Sequence, residues 1–285
     1  MKIIYQKLGI LIAFVVLIIA LFLFCFWQNN SIVTTKSLYY NTKIPEAFNN
    51  FTIVHISDLH NKMFGEEQLN ILNKVRDMAP DIIFITGDLI DRRKYDLDAA
   101  MTFVLGALEI APIYYVSGNH EALSGKFPLI QEQLLEAGVN ILDNCQVEIR
   151  KDNSSIEILG LRDPSFMVYD YLEDNTESQV EKTLKQWSNN DKFKILLSHR
   201  PELFPLYSEN KMDLIFTGHA HGGQFRIPGL GGLIAPQQGF FPKYTSGSYV
   251  EGLYTMFVRR GLGNSLMPIR IFNRPEIVVV KLKTE

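Results

Sequence analysis

One pattern occurs five times along this chain and limits the folds open to it. A short apolar run ends in Ser or Thr and is followed, at once or after one glycine, by Asp, Asn or His. Short runs rich in β-branched and aromatic residues predict buried strands, so the polar residues stand at the carboxyl ends of strands. The five runs cover residues 53–57, 82–86, 113–117, 195–198 and 214–217.

Segments with helical periodicity separate the early strands. Four segments have this character: 68–78, 99–109, 128–137 and 179–187. Residues 147–150 and 156–160 are expected to pair as a hairpin about Asp152 and Asn153, and residues 277–282 form a final strand. This alternation predicts an α/β layered domain with largely parallel pairing in its first half. Ligands gather beyond the carboxyl ends of such strands, so the five polar clusters can converge on one site.

The residues at the strand ends form a set suited to divalent metals. Carboxylate, imidazole and amide-oxygen ligands together favour Mn, Fe or Zn over Ca or Mg. Five of the six histidines belong to the set, whereas a structural role would scatter them. The predicted set is Asp58, His60, Asp88, Asp91, Asn119, His120, His199, His219 and His221.

Each of these residues has a simpler interpretation when it is taken alone. Asp88 and Asn119 follow glycines and could be turn residues, and His199 could begin a helix. Titratable groups that converge at strand ends favour a site for the set as a whole. His55 is different, because it lies inside an apolar run and is interpreted as a hydrogen-bonded histidine of the core or surface.

The order of these motifs closely resembles the calcineurin-like metallophosphoesterase family. The resemblance covers the chain from Phe51 to near the C-terminus, and within the family it favours bacterial membrane-associated phosphodiesterases. Two further stretches add to it, GHAHGGQ from Gly218 and RRGLG from Arg259. The resemblance implies a layered β-sandwich of mixed sheets flanked by helices, and an enzyme that hydrolyses phosphate esters.

The resemblance also implies a role for each residue of the set. Asp88 would bridge two metal ions about 3.5–4 Å apart, together with a water or hydroxide. His120 would act as general acid or transition-state stabiliser, and Asp91 would orient a ligand or His120. The other ligands of the first ion would be Asp58, His60 and His221. Those of the second ion would be Asn119, His199 and His219.

The N-terminal region contains an uncharged apolar stretch. Residues 8–27 are dominated by Leu, Ile, Val and Phe, and Trp27 closes the stretch as an interfacial aromatic residue would. At helical rise such a stretch spans a hydrocarbon core of about 30 Å, so we expect one transmembrane helix. A cleaved signal peptide is the alternative, but no small-x-small cleavage signal follows.

The expected organisation follows from that helix. Residues 1–27 form a membrane anchor, residues 28–50 a tether and residues 51–285 the metallophosphoesterase domain. The short first flank favours a single-pass protein of the cell membrane whose catalytic domain is extracytoplasmic.

Charge and anchoring limit the class of substrate. The formal net charge of −3 makes nucleic acid an unlikely partner. An anchored site favours a phosphodiester in the membrane or envelope, such as the UDP-diacylglucosamine that the family's lipid-precursor hydrolases split. The alternatives are a phosphomonoesterase, including a protein phosphatase, and a catalytically inert metal-binding scaffold. The sequence identifies no protein partner.

The sequence also contains one long loop, two cysteines and four arginines whose roles can be weighed. Segment 234–249 either faces the substrate or packs irregularly on the core. Cys25 lies inside the apolar stretch and Cys145 far away in the soluble part, so no disulfide between them is expected, and Cys145 is interpreted as a buried thiol. Four arginines could bind substrate phosphate, although solvated or ion-paired side chains are the favoured interpretation. They are Arg200, Arg226, Arg259 and Arg260.

Overall fold

Two six-stranded sheets pack face to face and carry helices on their outer surfaces. The structure is a computed structural model that describes residues 2–167, 176–264 and 267–285. Its α-helices are α1 Lys2–Asn30, α2 Leu69–Arg76, α3 Leu97–Leu108, α4 Asn119–Ala122, α5 Phe127–Glu136, α6 Thr176–Trp187 and α7 Phe204–Glu209. Its strands are β1 Val33–Tyr40, β2 Thr52–Ile56, β3 Ile82–Thr86, β4 Ile113–Val116, β5 Asn140–Ile141, β6 Cys145–Lys151, β7 Ser154–Gly160, β8 Lys194–Leu197, β9 Leu214–Thr217, β10 Arg226–Ile227, β11 Gly231–Gly232, β12 Ile234–Ala235, β13 Gly239–Phe240, β14 Gly247–Glu251, β15 Tyr254–Val258 and β16 Glu276–Lys283.

The first sheet has the strand order β1-β16-β2-β3-β4-β5. Strands β2 to β5 are parallel to one another, whereas β16 runs antiparallel to β2 and parallel to β1. Parallel neighbours need crossover connections, and α2, α3 and α5 lie in those that join β2 to β5. The predicted parallel pairing in the first half of the domain is confirmed.

The second sheet has the order β14-β15-β9-β8-β7-β6. Its four inner strands are parallel, and an antiparallel hairpin adds the outer strand at each edge. One of these hairpins joins β6 to β7 through Asp152 and Asn153, as predicted. The predicted β-sandwich of mixed sheets flanked by helices is confirmed.

Alternation along the strands builds the apolar layers between sheets and helices. In β3, Ile83 and Ile85 face the cluster that includes α2 and α3, whereas Ile82 and Phe84 face the second sheet. The ring of Phe84 lies 5.2 Å from that of Phe216 in β9. Burying an apolar side chain of this size contributes about 1.5–3 kcal/mol. The strand ends are therefore held in fixed relative positions by a packed core.

The region expected to be a tether contains part of the first sheet. Residues Val33–Tyr40 form β1 and pair in parallel with β16 along their whole length. Tyr39 of this strand and Ile44 and Phe48 after it are buried in the core between the sheets. The β-branched and aromatic residues of this segment suit a strand, and the partner strand lies at the other end of the chain.

The N-terminal helix α1 is long and apolar enough, from Ile4 to Asn30, to cross a membrane, by length and composition.

The prediction that Cys145 is buried is wrong, because Cys145 is exposed. It begins β6, which is an edge strand of the second sheet and leaves one side open to solvent.

Candidate metal centre

The predicted ligands lie in tight turns after five parallel strands. Five of the seven predicted metal ligands have a positive φ, a conformation that costs a non-glycine residue on the order of 1–3 kcal/mol. Strain of this kind persists where the surrounding structure and a function require it. The five are Asp58 (52°), His60 (47°), Asp88 (54°), His219 (66°) and His221 (48°).

A first group of ligand atoms lies beyond β2, β3 and β9. Asp58, His60, Asp88 and His221 each offer one atom, all within 4.8 Å of one another, and all four residues are buried. The Nε2 atoms of His60 and His221 are 3.0 Å apart. Nε2 of His221 lies 3.3 Å from Oδ1 of Asp58, and Nε2 of His60 lies 3.7 Å from Oδ2 of Asp88.

A second group shares Asp88 with the first. Asp88, His199 and His219 place their ligand atoms within 4.8 Å of one another. Nε2 of His199 lies 3.2 Å from Oδ2 of Asp88 and 3.1 Å from Nδ1 of His219. Oδ1 of Asn119 lies 3.2 Å from the same Nε2 atom. The carboxylate of Asp88 therefore lies between two groups of donors.

Glycines allow the turns to approach so closely. A Cβ atom on Gly87, whose φ is +83°, would lie 2.6 Å from Cα of Gly118 and 2.8 Å from Nδ1 of His199. A Cβ atom on Gly218 would lie 2.7 Å from Oδ2 of Asp58. No real side chain fits at these distances, so glycine is required before the ligand-bearing positions.

Burial and mutual charge set the protonation of the first group. Burial would raise the pKa of Asp88, but the neighbouring His199 and other histidines hold it well below its ordinary value. Burial raises the pKa of Asp58 to about 6 and lowers that of His60 to about 3. Burial also lowers the pKa of His221 well below its ordinary value. The imidazoles of this group are therefore neutral and keep a free lone pair.

His199 and His219 differ in protonation. Burial lowers the pKa of His219 well below its ordinary value. Burial would lower the pKa of His199 too, but the carboxylate of Asp88 raises it to about 10. The negative charge at Asp88 thus attracts a proton to His199, and a cation at the same place would compensate that charge instead.

Neighbouring groups orient the ligand rings. Nδ1 of His199 lies 2.7 Å from the carbonyl oxygen of Thr86, so the Nδ1–H donates there and Nε2 faces Asp88. Nε2 of His219 contacts Oε1 of Gln237, which leaves its Nδ1 facing His199. Such outer partners fix the tautomer of metal-binding histidines. Imidazoles oriented in this way beside carboxylates fit divalent cations, whose charge would replace the proton on His199.

His120 lies at the edge of this centre. Its Nδ1 accepts a 3.2 Å hydrogen bond from the backbone N–H of Arg92 and lies 3.5 Å from Oδ1 of Asp91. With Nδ1 as acceptor, Nε2 of the neutral ring carries the proton. Burial lowers the pKa of His120. His120 lines a cavity of about 230 Å³ together with Asp88 and Asn119, so a substrate there would meet its ring.

Glu121 is a residue whose role the sequence interpretation missed. It is fully buried, and its carboxylate accepts backbone hydrogen bonds from Asp88, Ile90 and Gly118. Glu121 directly follows His120 in the sequence, but two of its three donors, Asp88 and Ile90, lie in the turn after β3. It ties the turn that carries Asp88 to the turn that carries Asn119.

Three of the four arginines singled out in the sequence are ion-paired or partly solvated, as the sequence favoured. Arg200 is buried and ion-paired, since its Nε and Nη2 donate to Asp163 at 2.6 and 2.9 Å. Arg260 lies 3.8 Å from a carboxylate, and half-buried Arg226 donates to a backbone carbonyl oxygen. Arg259 is the exception, because its fully buried guanidinium has no hydrogen-bond partner within the part of the chain that the structure describes.

The remaining predictions concern His55 and segment 234–249. His55 is a core histidine, as predicted, because it is buried and its Nε2 lies 2.8 Å from Oγ1 of Thr86. Pro236 and Gln237 line the cavity at His120, while Ala235 is buried in the core. Part of the segment therefore faces the cavity beside the predicted ligands, and another part packs on the core.

Comparisons with known proteins agree with this geometry. The sequence of the metallophosphoesterase YkuE of Bacillus subtilis (strain 168), described as uncharacterized, is 32% identical over 264 residues, which cover 90% of this chain and 87% of YkuE. Phosphodiesterase YaeI of Escherichia coli (strain K12) is 29% identical over 240 residues, which cover 81% and 82% of the two chains. A Danio rerio transmembrane protein with a metallophosphoesterase domain is 28% identical, over 85% of this chain and 55% of that protein.

The family assignment rests on a long match. The model of the calcineurin-like phosphoesterase family matches residues 51–223, which include every predicted ligand. The match and the relative YkuE cover most of the catalytic domain. This chain therefore belongs to the calcineurin-like phosphoesterase family, the hydrolases of phosphate esters that its motifs predict.

Proposed function

We propose that this chain is a phosphodiesterase that works with two divalent ions, Mn, Fe or Zn, on a substrate of the membrane or envelope. The observation that carries the proposal is the position of Asp88, whose carboxylate is common to two groups of ligand atoms. A shared carboxylate between two donor groups is the arrangement that a pair of cations needs.

Each residue of the centre has a task in this proposal. The cations, when bound, supply Lewis acidity toward the phosphate oxygens and activate a water molecule. Asp88 contributes to both sites, and His120 donates a hydrogen bond to the leaving-group oxygen. The carboxylate of Asp91 lies 3.5 Å from Nδ1 of His120 and favours a positive charge on its ring. Asp58, His60 and His221 would hold the first cation. Asn119, His199 and His219 would hold the second.

The membrane part of the proposal rests on α1. Residues 4–23 of α1 are exposed throughout and strongly apolar, which suits a helix surrounded by lipid. We infer a single-pass anchor with the catalytic domain on the extracytoplasmic side. An alkaline phosphatase fused after Glu285 is expected to be active in intact cells, because that enzyme folds outside the cytoplasm. An inactive fusion that is nevertheless synthesised would contradict this orientation.

Two other functions use the same residues. A phosphomonoesterase, including a protein phosphatase, would have the same pair of cations, and the name of the relative YaeI favours the diester instead. An inert metal-binding scaffold would bind the cations without turnover. The ring of His120 in the cavity favours an enzyme, since a scaffold needs no such group beside the ions.

An assay of the full chain in detergent tests these alternatives. The chain would be loaded with Mn or Zn and given bis(p-nitrophenyl) phosphate or p-nitrophenyl phosphate, beside the variant Asp88→Asn. We expect metal-dependent hydrolysis, faster on the diester, that the variant loses. Faster monoester hydrolysis would favour the phosphomonoesterase. Bound metal without turnover of either ester would favour the scaffold.

A further inference from the structure

The C-terminal end of α1 is fixed on the catalytic domain. One face of the helix is at least partly buried there: Phe24, Cys25, Gln28 and Asn29. Oδ1 of Asn29 accepts a 2.9 Å hydrogen bond from Asn264, and Oε1 of Gln28 accepts one of 3.2 Å from the backbone N–H of Asn273. Both partners lie in the segment before β16. The direction of α1 therefore determines which side of the domain faces a membrane.

Three apolar side chains of this segment are exposed beside α1. Met267, Ile269 and Phe272 are 38%, 42% and 52% exposed. The ring of Phe272 lies 5.7 Å from that of Phe24. Phe24 precedes Trp27 by three residues, or about 4.5 Å along the helix axis. Phe272 therefore lies level with the apolar part of α1 and not beyond its end.

Hydrogen bonds from Arg270 fix the backbone near it, and polar side chains border the three apolar ones. Arg270 is buried, and its Nη1 donates to the carbonyl oxygens of Arg260 and Asn273 at 3.0 and 3.1 Å. The guanidinium of Arg274 lies 4.6 Å from the ring centroid of Trp27. Trp and Arg side chains of this kind are typical of the membrane interface. The hydrogen bonds of Arg270 thus hold the backbone near the three exposed apolar side chains.

A cavity of about 650 Å³ connects this segment to the metal centre. Asn264 and Pro268 line one side of it, and His60 and Asp91 line the other. Lys62 also lines it and donates to the carbonyl oxygen of Asn29 at the end of α1. Lys62, Arg93 and Lys94 line it together with Asp91 and Asp96, and Arg93 is paired with Asp91 at 3.0 Å. An anionic phosphate group that enters the cavity would therefore meet Lys62 and Lys94.

We propose that Met267, Ile269 and Phe272, together with the last turns of α1, form a docking surface for the lipid bilayer. The 650 Å³ cavity, whose lining includes Asn264 and Pro268 next to this surface, admits the phosphate-ester head group of a membrane lipid, whose chains stay in the bilayer. Exposed apolar side chains next to a helix suited to a bilayer face the same apolar medium as that helix, which favours a lipid as the occupant. The head group as substrate rests on the proposed function, whereas the docking does not.

A nitroxide depth measurement tests the docking. The full chain with Cys25→Ala and Cys145→Ser would carry Ile269→Cys, labelled and reconstituted in vesicles of phosphatidylcholine and phosphatidylglycerol. The matched control is Leu253→Cys, which is 80% exposed in the hairpin between β14 and β15, at the edge opposite the metal centre. We expect several-fold higher access of oxygen relative to a water-soluble nickel chelate at position 269. Equal ratios at both positions would overturn the docking surface.

A rate comparison tests the head-group part. Ile269→Asp and the matched Leu253→Asp would be assayed in the same vesicles with a long-chain alkyl aryl phosphodiester and with its soluble short-chain analogue. We expect Ile269→Asp to lower the long-chain rate about tenfold relative to the short-chain rate, since docking energy is lost. Equal loss on both esters would overturn this part. Wild-type chain without turnover of either ester would contradict the proposed function and the head-group part with it, while the nitroxide result still decides the docking.

Discussion

The carboxylate of Glu121 accepts a 2.8 Å hydrogen bond from the backbone N–H of Asp88. It also accepts one of 2.8 Å from Gly118 and one of 3.2 Å from Ile90. These three bonds involve only backbone N–H groups and no predicted metal-binding atom. They fix how the turn after β3 lies against the turn after β4. The position of Asp88 between the two donor groups thus depends on a buried carboxylate in the next turn.

Glu121→Gln is expected to destabilise the domain. The amide nitrogen of Gln cannot accept, so at least one buried N–H loses its partner at a cost of about 1–3 kcal/mol. Urea unfolding of the full chain in detergent, followed by circular dichroism, measures the change. The exposed Glu136→Gln serves as control. Equal midpoints for the two variants would contradict the role of Glu121.

Asp163→Asn is expected to lower the free energy of unfolding by about 3 kcal/mol. Arg200 and Asp163 are both buried and form two hydrogen bonds, and removal of one partner leaves a buried charge unpaired. Thermal unfolding compares it with Glu148→Gln at the exposed pair with Arg150, where we expect a smaller change. Similar shifts for both pairs would refute the structural importance of Asp163.

His120→Gln is expected to lower kcat by roughly 10²–10⁴ while metal content stays unchanged. His120 lines the cavity but belongs to neither of the two donor groups that share Asp88. Hydrolysis of bis(p-nitrophenyl) phosphate and elemental analysis of the same sample measure both quantities. An undiminished kcat would remove His120 from the mechanism, and loss of metal would make it a ligand instead.

Cys145 is expected to react with a maleimide in the folded protein. It is exposed at the start of an edge strand, whereas Cys25 is partly buried on α1. Intact-mass analysis of native chain in lipid nanodiscs should show one rapid label, and Cys145→Ser should remove it. A label that appears only after denaturation would contradict the exposed position.

Local patterns predicted the strands that carry the centre. The runs before Asp58, Asp88 and His219 are short, apolar and β-branched, and each forms a buried strand. The parallel pairing of such strands then brings distant residues to one edge of the sheets. The convergence of these residues could therefore be predicted from the sequence and from the resemblance that their order carries, while their role as ligands stays a prediction.

Other features depend on contacts that no local pattern contains. β1 was missed because its partner, β16, lies at the far end of the chain. The exposure of Cys145 follows from the position of β6 at a sheet edge, which topology decides. The task of Glu121 depends on donors from the turn at Asp88 and Ile90, and a Glu at a helix start gives no sign of them.

Elemental analysis of the purified full chain tests the central claim most directly. Asp88 is shared by both donor groups, so its replacement should affect both ions. We expect about two equivalents of Mn, Fe or Zn in wild-type chain, and at most one in Asp88→Asn with its fold retained. Folded wild-type chain that takes up no divalent ions, or equal content in the two proteins, would contradict the dinuclear centre.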